Sequence, residues 1–466
     1  MEGNSLKTIE NLCNIFETRI KLDKEKHIET PYEVLTNYEK YAKKIDAIHN
    51  EKFEKEIKKL ITPEVTLEKE EYENFTKNHI KSHFLHSYAW GEVSKTRGQI
   101  PHYLGVEKDN KLVATALLLE KKLIMGYTYF YIPRGFVLDY EDEKLIKFIT
   151  VEIAKYTKQH KSLYFLIDPD IKLHTIDKDA NKIDGEDNYK LVKFLKDIGY
   201  KHKKLNYFFE GNQPRFTFRV NTKIDEDEIR NNYSKSVRRW IKTADKFKVN
   251  AYTGKKDELN EFIRLMKMTE KRQGFFSHNY DFYPKLYDIL EKEDMIYLLL
   301  AKVNINDVLE ELNKELKEDE SRREKLEGLI NHYTELKKNG EVQVVSSYIN
   351  IEYGNKSWYL YGANDMDFKD CFANYKLFDY QIMLAHNLGK DLLDEFGTVG
   401  KPNSKKSGAS LHEFKQKFGG EYTEFIGEFM YITNKPIYTI FSILIPIKRK
   451  ISKFINHTKV KHNKGE

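Results

Sequence analysis

The chain has 466 residues, 40% hydrophobic and 13% aromatic, which is more than one small core uses and excludes wholesale disorder. Its net charge of +6 is mild, and its two cysteines, Cys13 and Cys371, exclude a disulfide framework or a zinc site of their own. There is no HExxH, no Walker A loop and no GxGxxG. Residues 5–60 read as helical and densely charged, with Pro31 breaking the run and Pro63 ending it. The first 30 residues lack the apolar stretch of a signal peptide, so a cytoplasmic protein is expected.

From residue 64 the texture changes. KLVATALLLEKKL (111–123) and YTYFYIPRG (127–135) read as strands, KLIKFITVEIAKYTKQH (144–160) as a helix, and SLYFLIDPD (162–170) as a strand ending in a turn. A second set follows. Residues 227–247 and 259–275 read as helices, 295–303, 342–354 and 356–364 as strands, 374–389 as a helix and 392–400 as a strand. Strand-helix-strand units of this kind predict an α/β (α+β) protein with two tandem acetyltransferase-like (GNAT-like) domains. The expected organisation is a helical N-terminal extension (1–62), a first domain (63–225), a second domain (226–434) and a basic amphipathic tail (435–466).

Residues 305–340 fit neither domain. Leu309, Leu312 and Leu316 make one seam, and Leu326, Leu329, Tyr333 and Leu336 make another. A polar middle, Lys317–Lys325, separates them, which predicts an inserted antiparallel helical hairpin projecting as an arm. In LHEFKQKFGG (411–420), Leu411, Phe414 and Phe418 share one helical face and Gly419–Gly420 ends the helix. That pattern does not account for Lys415, which sits beside the apolar face. The tail holds eight Lys/Arg against one Glu, a net of +7 that leaves −1 for the rest of the chain. Its apolar run YTIFSILIPI (438–447) is too short to cross a bilayer, and it suits peripheral contact with the inner face of the plasma membrane.

Several stretches, in one consistent order over residues 64–455, resemble the FemABX aminoacyltransferases. They are HFLHSYAWGEVSKTRG (83–98), YIPRGFVLDYED (131–142), NYSKSVRRWIKTADKFKV (232–249), TEKRQGF (269–275), the helical insert, WYLYGANDMDF (358–368), HEFKQKFGGEYTEFIGEF (412–429) and NKPIYTIF (434–441). The resemblance implies transfer of an amino acid from aminoacyl-tRNA to the stem-peptide amine of a peptidoglycan precursor, lipid II or its nucleotide-linked forerunner. The donor ester is already activated, so no cofactor and no metal are implied. By the same resemblance Lys415 and Asp139 are the catalytic candidates. Lys415 would stabilise the oxyanion or hold the tRNA end beside Phe414, and Asp139 would hold or deprotonate the amine.

Lys95, Arg97, Arg238, Arg239 and Lys242 are then the expected partners of the substrates' phosphates. Arg238 and Lys242, at i and i+4, share a helix face and can grip one pyrophosphate. Two rival readings compete with this one. An acyl-CoA N-acyltransferase on the same fold needs a Q/R-x-x-G-x-G/A loop, which this sequence lacks. A non-catalytic scaffold for RNA or membrane would make the 412–429 segment structural.

Overall fold

The computed structural model describes residues 2–25, 30, 34–40, 42–43, 57–61, 67–274, 279–402 and 408–443. The lysines at 405 and 406 and the tail beyond residue 443 lie outside the described residues.

Two mixed sheets organise the chain. Among the described residues the first has seven strands, in the order Ile57–Ile61, Ile100–Lys108, Lys111–Lys122, Thr128–Ile132, Ser162–Ile167, Phe429–Ile432 and Lys201–His202. The second has nine, in the order Asn250–Gly254, Ile296–Asn304, Val342–Tyr353, Lys356–Asn364, Leu392–Thr398, Phe216–Asn221, Glu421–Phe425, Lys172–Ile176 and Lys182–Asp187. Each sheet has one parallel joint, bridged by a long helix. Thr128 pairs with Ser162 across Glu143–Gln159, and Lys356 pairs with Leu392 across Ala373–Asn387. The expected mixed α/β architecture is therefore present, with one crossover helix to each sheet.

The strands do not respect the boundary at residue 225. Phe429–Ile432, from the end of the second unit, pairs antiparallel with Ser162–Ile167 in the first sheet. Phe216–Asn221, from the end of the first unit, pairs antiparallel with Leu392–Thr398 in the second. Each half thus completes its neighbour's sheet.

Period-two alternation divides the apolar side chains among three cores. On Ile296–Asn304, Leu298 and Leu300 face one core while Leu299, Ala301 and Val303 face another. On the first sheet, Leu104 and Leu118 pack under the helix Glu143–Gln159, while Tyr103, Leu117 and Leu119 turn the other way. There they meet Phe262, Leu298, Ile349 and Trp358 of the second half in a shared core.

Two expectations are corrected. The helix read over 227–247 is two helices, Glu226–Asn231 and Lys235–Lys246, because the Ser234 hydroxyl caps the second by accepting from Val237 N at 3.3 Å. The N-terminal region is not helical throughout, since Ile57–Ile61 forms an edge strand against Ile100–Lys108. The inserted hairpin is present as the two helices Ile305–Glu318 and Arg323–Leu336. Leu312, Leu326 and Tyr333 are buried in the second core, and His332 Nε2 lies 2.7 Å from the Asp367 carbonyl oxygen.

Candidate functional site

The strand Leu392–Thr398 is irregular between Asp394 and Gly397, where Phe396 takes a φ of 57°. That kink turns three consecutive carbonyls inward. Lys415, on the short helix Ala409–Gln416, fills the space they surround. Its Nζ donates to the carbonyl oxygens of Glu395, of Phe396 at 3.2 Å and of Gly397 at 2.8 Å, and lies 5.1 Å from the Tyr359 ring centre. The side chain is 2% exposed, and burial pushes its ammonium down to about 8, with Glu395 and Asp394 pulling the other way. All three ammonium protons are occupied by backbone, so Lys415 holds the kink in shape. Phe414 turns to the second core, its ring centre 5.2 Å from those of Tyr375 and Phe378.

The same kink anchors a chain of charges. Asp394 Oδ1 accepts from the Thr217 hydroxyl at 2.5 Å and from Phe396 N at 2.8 Å. Its Oδ2 accepts from Arg219 Nε at 3.0 Å, and Arg219 Nη2 donates to both oxygens of Asp170 at 2.6 and 2.7 Å. Burial works against the Asp170 carboxylate, but Arg219, Lys356 and Arg134 outweigh it and hold its pKa well below the usual carboxylate range. Arg219 is therefore one cation bridging two largely buried carboxylates, on a strand one half contributes to the other's sheet.

Arg134 lies close by, in a left-handed turn with φ 57° that Gly135 continues at φ 76°. A side chain on Gly135 would run into Tyr140 and Pro169, so the turn needs glycine. Arg134 and Arg219 lie over the Phe425 ring at 4.5 and 4.8 Å. The backbone N–H of Arg134 and the Tyr131 hydroxyl donate to Asp168 at 2.7 and 2.8 Å. Arg134, Asp168, Arg215 and Phe425 line a recess of about 370 Å³.

Burial pushes the Asp168 carboxyl from 3.8 up to about 7, opposed by Arg134 and Tyr131. Because this folded pKa is raised, the native state holds a proton that the unfolded chain has lost between pH 4 and 7. Wild-type stability therefore falls as pH rises through that window. Asp168→Asn does not titrate, so its stability relative to wild type should climb from pH 4 to pH 8, by about 4 kcal/mol at most. Parallel thermal melts across that range check this.

The basic helix adjoins the Lys415 segment. Ser234 N donates to the Lys417 carbonyl oxygen at 2.8 Å, and Lys417 Nζ lies 5.0 Å from the Trp240 ring centre. Arg238 is half-buried, with Nη1 donating to the Asn231 carbonyl oxygen at 3.2 Å, while Arg239 and Lys242 are exposed. The structure thus brings Phe414, Lys415 and this helix together.

It places the remaining candidates elsewhere. Lys95, at the end of the helix Tyr88–Lys95, is exposed and pairs with Glu92 at 2.7 Å. Arg97 is exposed and lies 5.8 Å from the Phe282 ring centre. Asp139 is exposed, and its carboxylate accepts from Glu141 N at 2.9 Å, closing the turn before the helix Glu143–Gln159. Among the described residues, one group has metal-ligand spacing: His102, Glu120 and His160, with ligand atoms within 4.8 Å of one another. His102 Nε2 and His160 Nδ1 lie 2.9 and 3.4 Å from Glu120 Oε2, and His102 Nδ1 lies 2.8 Å from the Tyr156 hydroxyl, so the group already closes as a hydrogen-bonded set.

Sequence reasoning missed Asp168, Asp170, Arg219 and Asp394. Two signals were available: the Asp-Pro-Asp turn after an apolar strand, and an arginine inside the alternating run FTFRVN.

Comparison with known proteins agrees with this picture. The FemAB family matches two overlapping segments, residues 67–339 and 324–445. A lipid II:glycine glycyltransferase of Staphylococcus aureus is 26% identical over 409 residues, covering 81% of this chain and 94% of the relative. The same enzyme from strain USA300 is 27% identical over the same length. A crystal structure of FemX superimposes with a TM-score of 0.69 at 26% identity, covering 82% of this chain and 99% of that one.

Proposed function

The chain belongs to the FemAB family, and from that membership we propose that it transfers an amino acid from aminoacyl-tRNA to the stem-peptide amine of lipid II, building the interpeptide bridge of the bacterial cell wall. The observation that carries the proposal is the match to lipid II:glycine glycyltransferases, which spans both halves and 94% of the relatives' length.

The reaction is aminolysis of an ester. The amine of the acceptor attacks the ester carbonyl, a tetrahedral oxyanion forms, the bond to the tRNA ribose oxygen breaks, and the amine's proton leaves. Holding two large anionic substrates in register supplies much of the rate. In this reading Arg238, Arg239 and Lys242 receive phosphate groups, as do Lys95 and Arg97 on their separate element. Lys415 is a positioning residue that fixes the kink at 395–397, Phe414 braces its helix, and Asp139 meets the amine.

The test offers glycyl-tRNA first, then other charged tRNAs, with lipid II. Label moving to the lipid supports the reading; no transfer to any precursor from folded protein overturns it. In the same assay, Arg238→Glu with Lys242→Glu should raise KM by about tenfold or more with the circular dichroism spectrum unchanged, since two phosphate-facing charges are reversed. An unchanged KM would remove that helix from the substrate path.

A further inference from the structure

The transfer machinery leaves one surface without a task. At the tip of the hairpin joining Lys111–Lys122 to Thr128–Ile132, Ile124 and Met125 are 47% and 80% exposed. Met125 takes a φ of 59° and Gly126 one of 73°. A left-handed conformation is unfavourable for a non-glycine residue, and Met125 gains no burial in return.

Beside this tip runs the helical segment 435–443. It is fastened to the first sheet through Tyr438, 5.7 Å from Tyr164 between ring centres, and Phe441, 5.3 Å from Tyr127. Leu123 of the hairpin and Phe441 line one apolar recess of about 200 Å³. Ile440 and Ile443 fall on the opposite side of the helix and are 51% and 59% exposed. A helix apolar on both faces has an apolar partner on both, and the described residues supply only one. Two segments more than 300 residues apart thus meet and hold four large apolar side chains out together.

The surrounding charge says what the second partner is. Lys122, Lys161 and Lys435 are exposed on the strand end, on the turn beside Thr128 and at the start of the helical segment. Beyond residue 443 the sequence adds seven Lys/Arg and one Glu. Apolar side chains rimmed by cations match the boundary between acidic headgroups and acyl chains.

We propose that the Ile124–Met125 tip and the outer face of residues 435–443 form one docking surface for an anionic lipid bilayer, with the four apolar side chains entering it and the lysines facing acidic headgroups. The proposal deepens the transferase reading, because a lipid-linked acceptor lies in such a surface. No helix among the described residues is long and apolar enough to cross a membrane, so the contact is one of lying on it.

The experiment sediments the full chain with vesicles of phosphatidylcholine alone and of phosphatidylcholine with phosphatidylglycerol in equal parts, neither containing acceptor. Binding to the mixed vesicles is expected, weakening as salt is raised. In Met125→Glu with Ile440→Glu it should fall by about tenfold or more, while Met125→Leu keeps it. Equal binding to both vesicles overturns the proposal. So does unchanged binding in the glutamate variant, which would assign the contact to the tail alone. A concentration-dependent dimer that the glutamate variant abolishes also overturns it, by making a second copy the occupant. Since the vesicles carry no acceptor, failure here leaves the transfer reading standing, and failed transfer with intact binding leaves the surface standing.

Discussion

Replacing Arg219 by leucine is expected to destabilise the protein by about 3–5 kcal/mol, because it leaves buried carboxylates without their cation. Arg219 holds both oxygens of Asp170 and one of Asp394, whose side chains are 11% and 4% exposed. Lysine should not rescue it, since one nitrogen cannot stand in for both Nε, which meets Asp394, and Nη2, which meets Asp170. Adding Asp170→Asn and Asp394→Asn to the leucine variant should recover most of the loss. The variant's deficit should also shrink as pH falls: Asp170 has lost the cation that does most to hold it ionised, and protonation lowers the cost of burying it. Urea titrations of the four proteins at two pH values check each of these statements. A leucine variant as stable as wild type would show that the bridge contributes nothing.

The second large effect belongs to Lys415. Lys415→Met keeps the volume and removes the charge, leaving the carbonyls of Glu395, Phe396 and Gly397 without their donor. Each stranded carbonyl costs about 1–3 kcal/mol, less where the kink can relax toward solvent. Relaxation is what matters for transfer, since misplacement by about 1 Å costs on the order of a hundredfold in rate. We therefore expect transfer to fall by about that factor, with a lower melting temperature and unchanged binding of the lipid acceptor. The ammonium's pKa is pushed down to about 8. It is charged below that pH and loses a donor above it, so the wild-type rate should decline through pH 8 while the methionine variant shows no such step. Full activity in Lys415→Met would remove it from the reaction altogether.

The parts of the fold that were legible share one property: their signal is local. The hairpin's leucine seams, the long helices and the apolar runs around 111–123 and 342–364 all announce themselves within a dozen residues. The strands that were not legible are defined by partners far away. Phe216–Asn221 is short and carries Arg219 mid-run, and only its pairing with Leu392–Thr398 on one side and Glu421–Phe425 on the other makes that arginine an interior residue. Glu421–Phe425 follows a glycine pair that reads as the end of a helix, and the structure ends that helix a few residues earlier, at Gln416.

The seat of the hairpin on the second half was hidden for a related reason. Its seams predict that two helices pair, but not that Tyr333 and Leu326 also reach into the second core. In the site, the phenylalanine-lysine segment stood out through its lysine beside an apolar face. The charges that hold the halves together did not, because a carboxylate in a turn looks the same whether it faces water or a guanidinium.

The exchanged strands also constrain when this molecule can fold. The first sheet has a gap between Ser162–Ile167 and Lys201–His202 that only Phe429–Ile432 fills. On the ribosome the first half is therefore complete in sequence long before it is complete in structure, and it waits through the synthesis of more than 200 further residues with an unpaired strand edge. Closure of so distant a pairing comes late and slowly. The tandem architecture reads as two units, but the first of them is finished only once Phe429–Ile432, from the second, has been made.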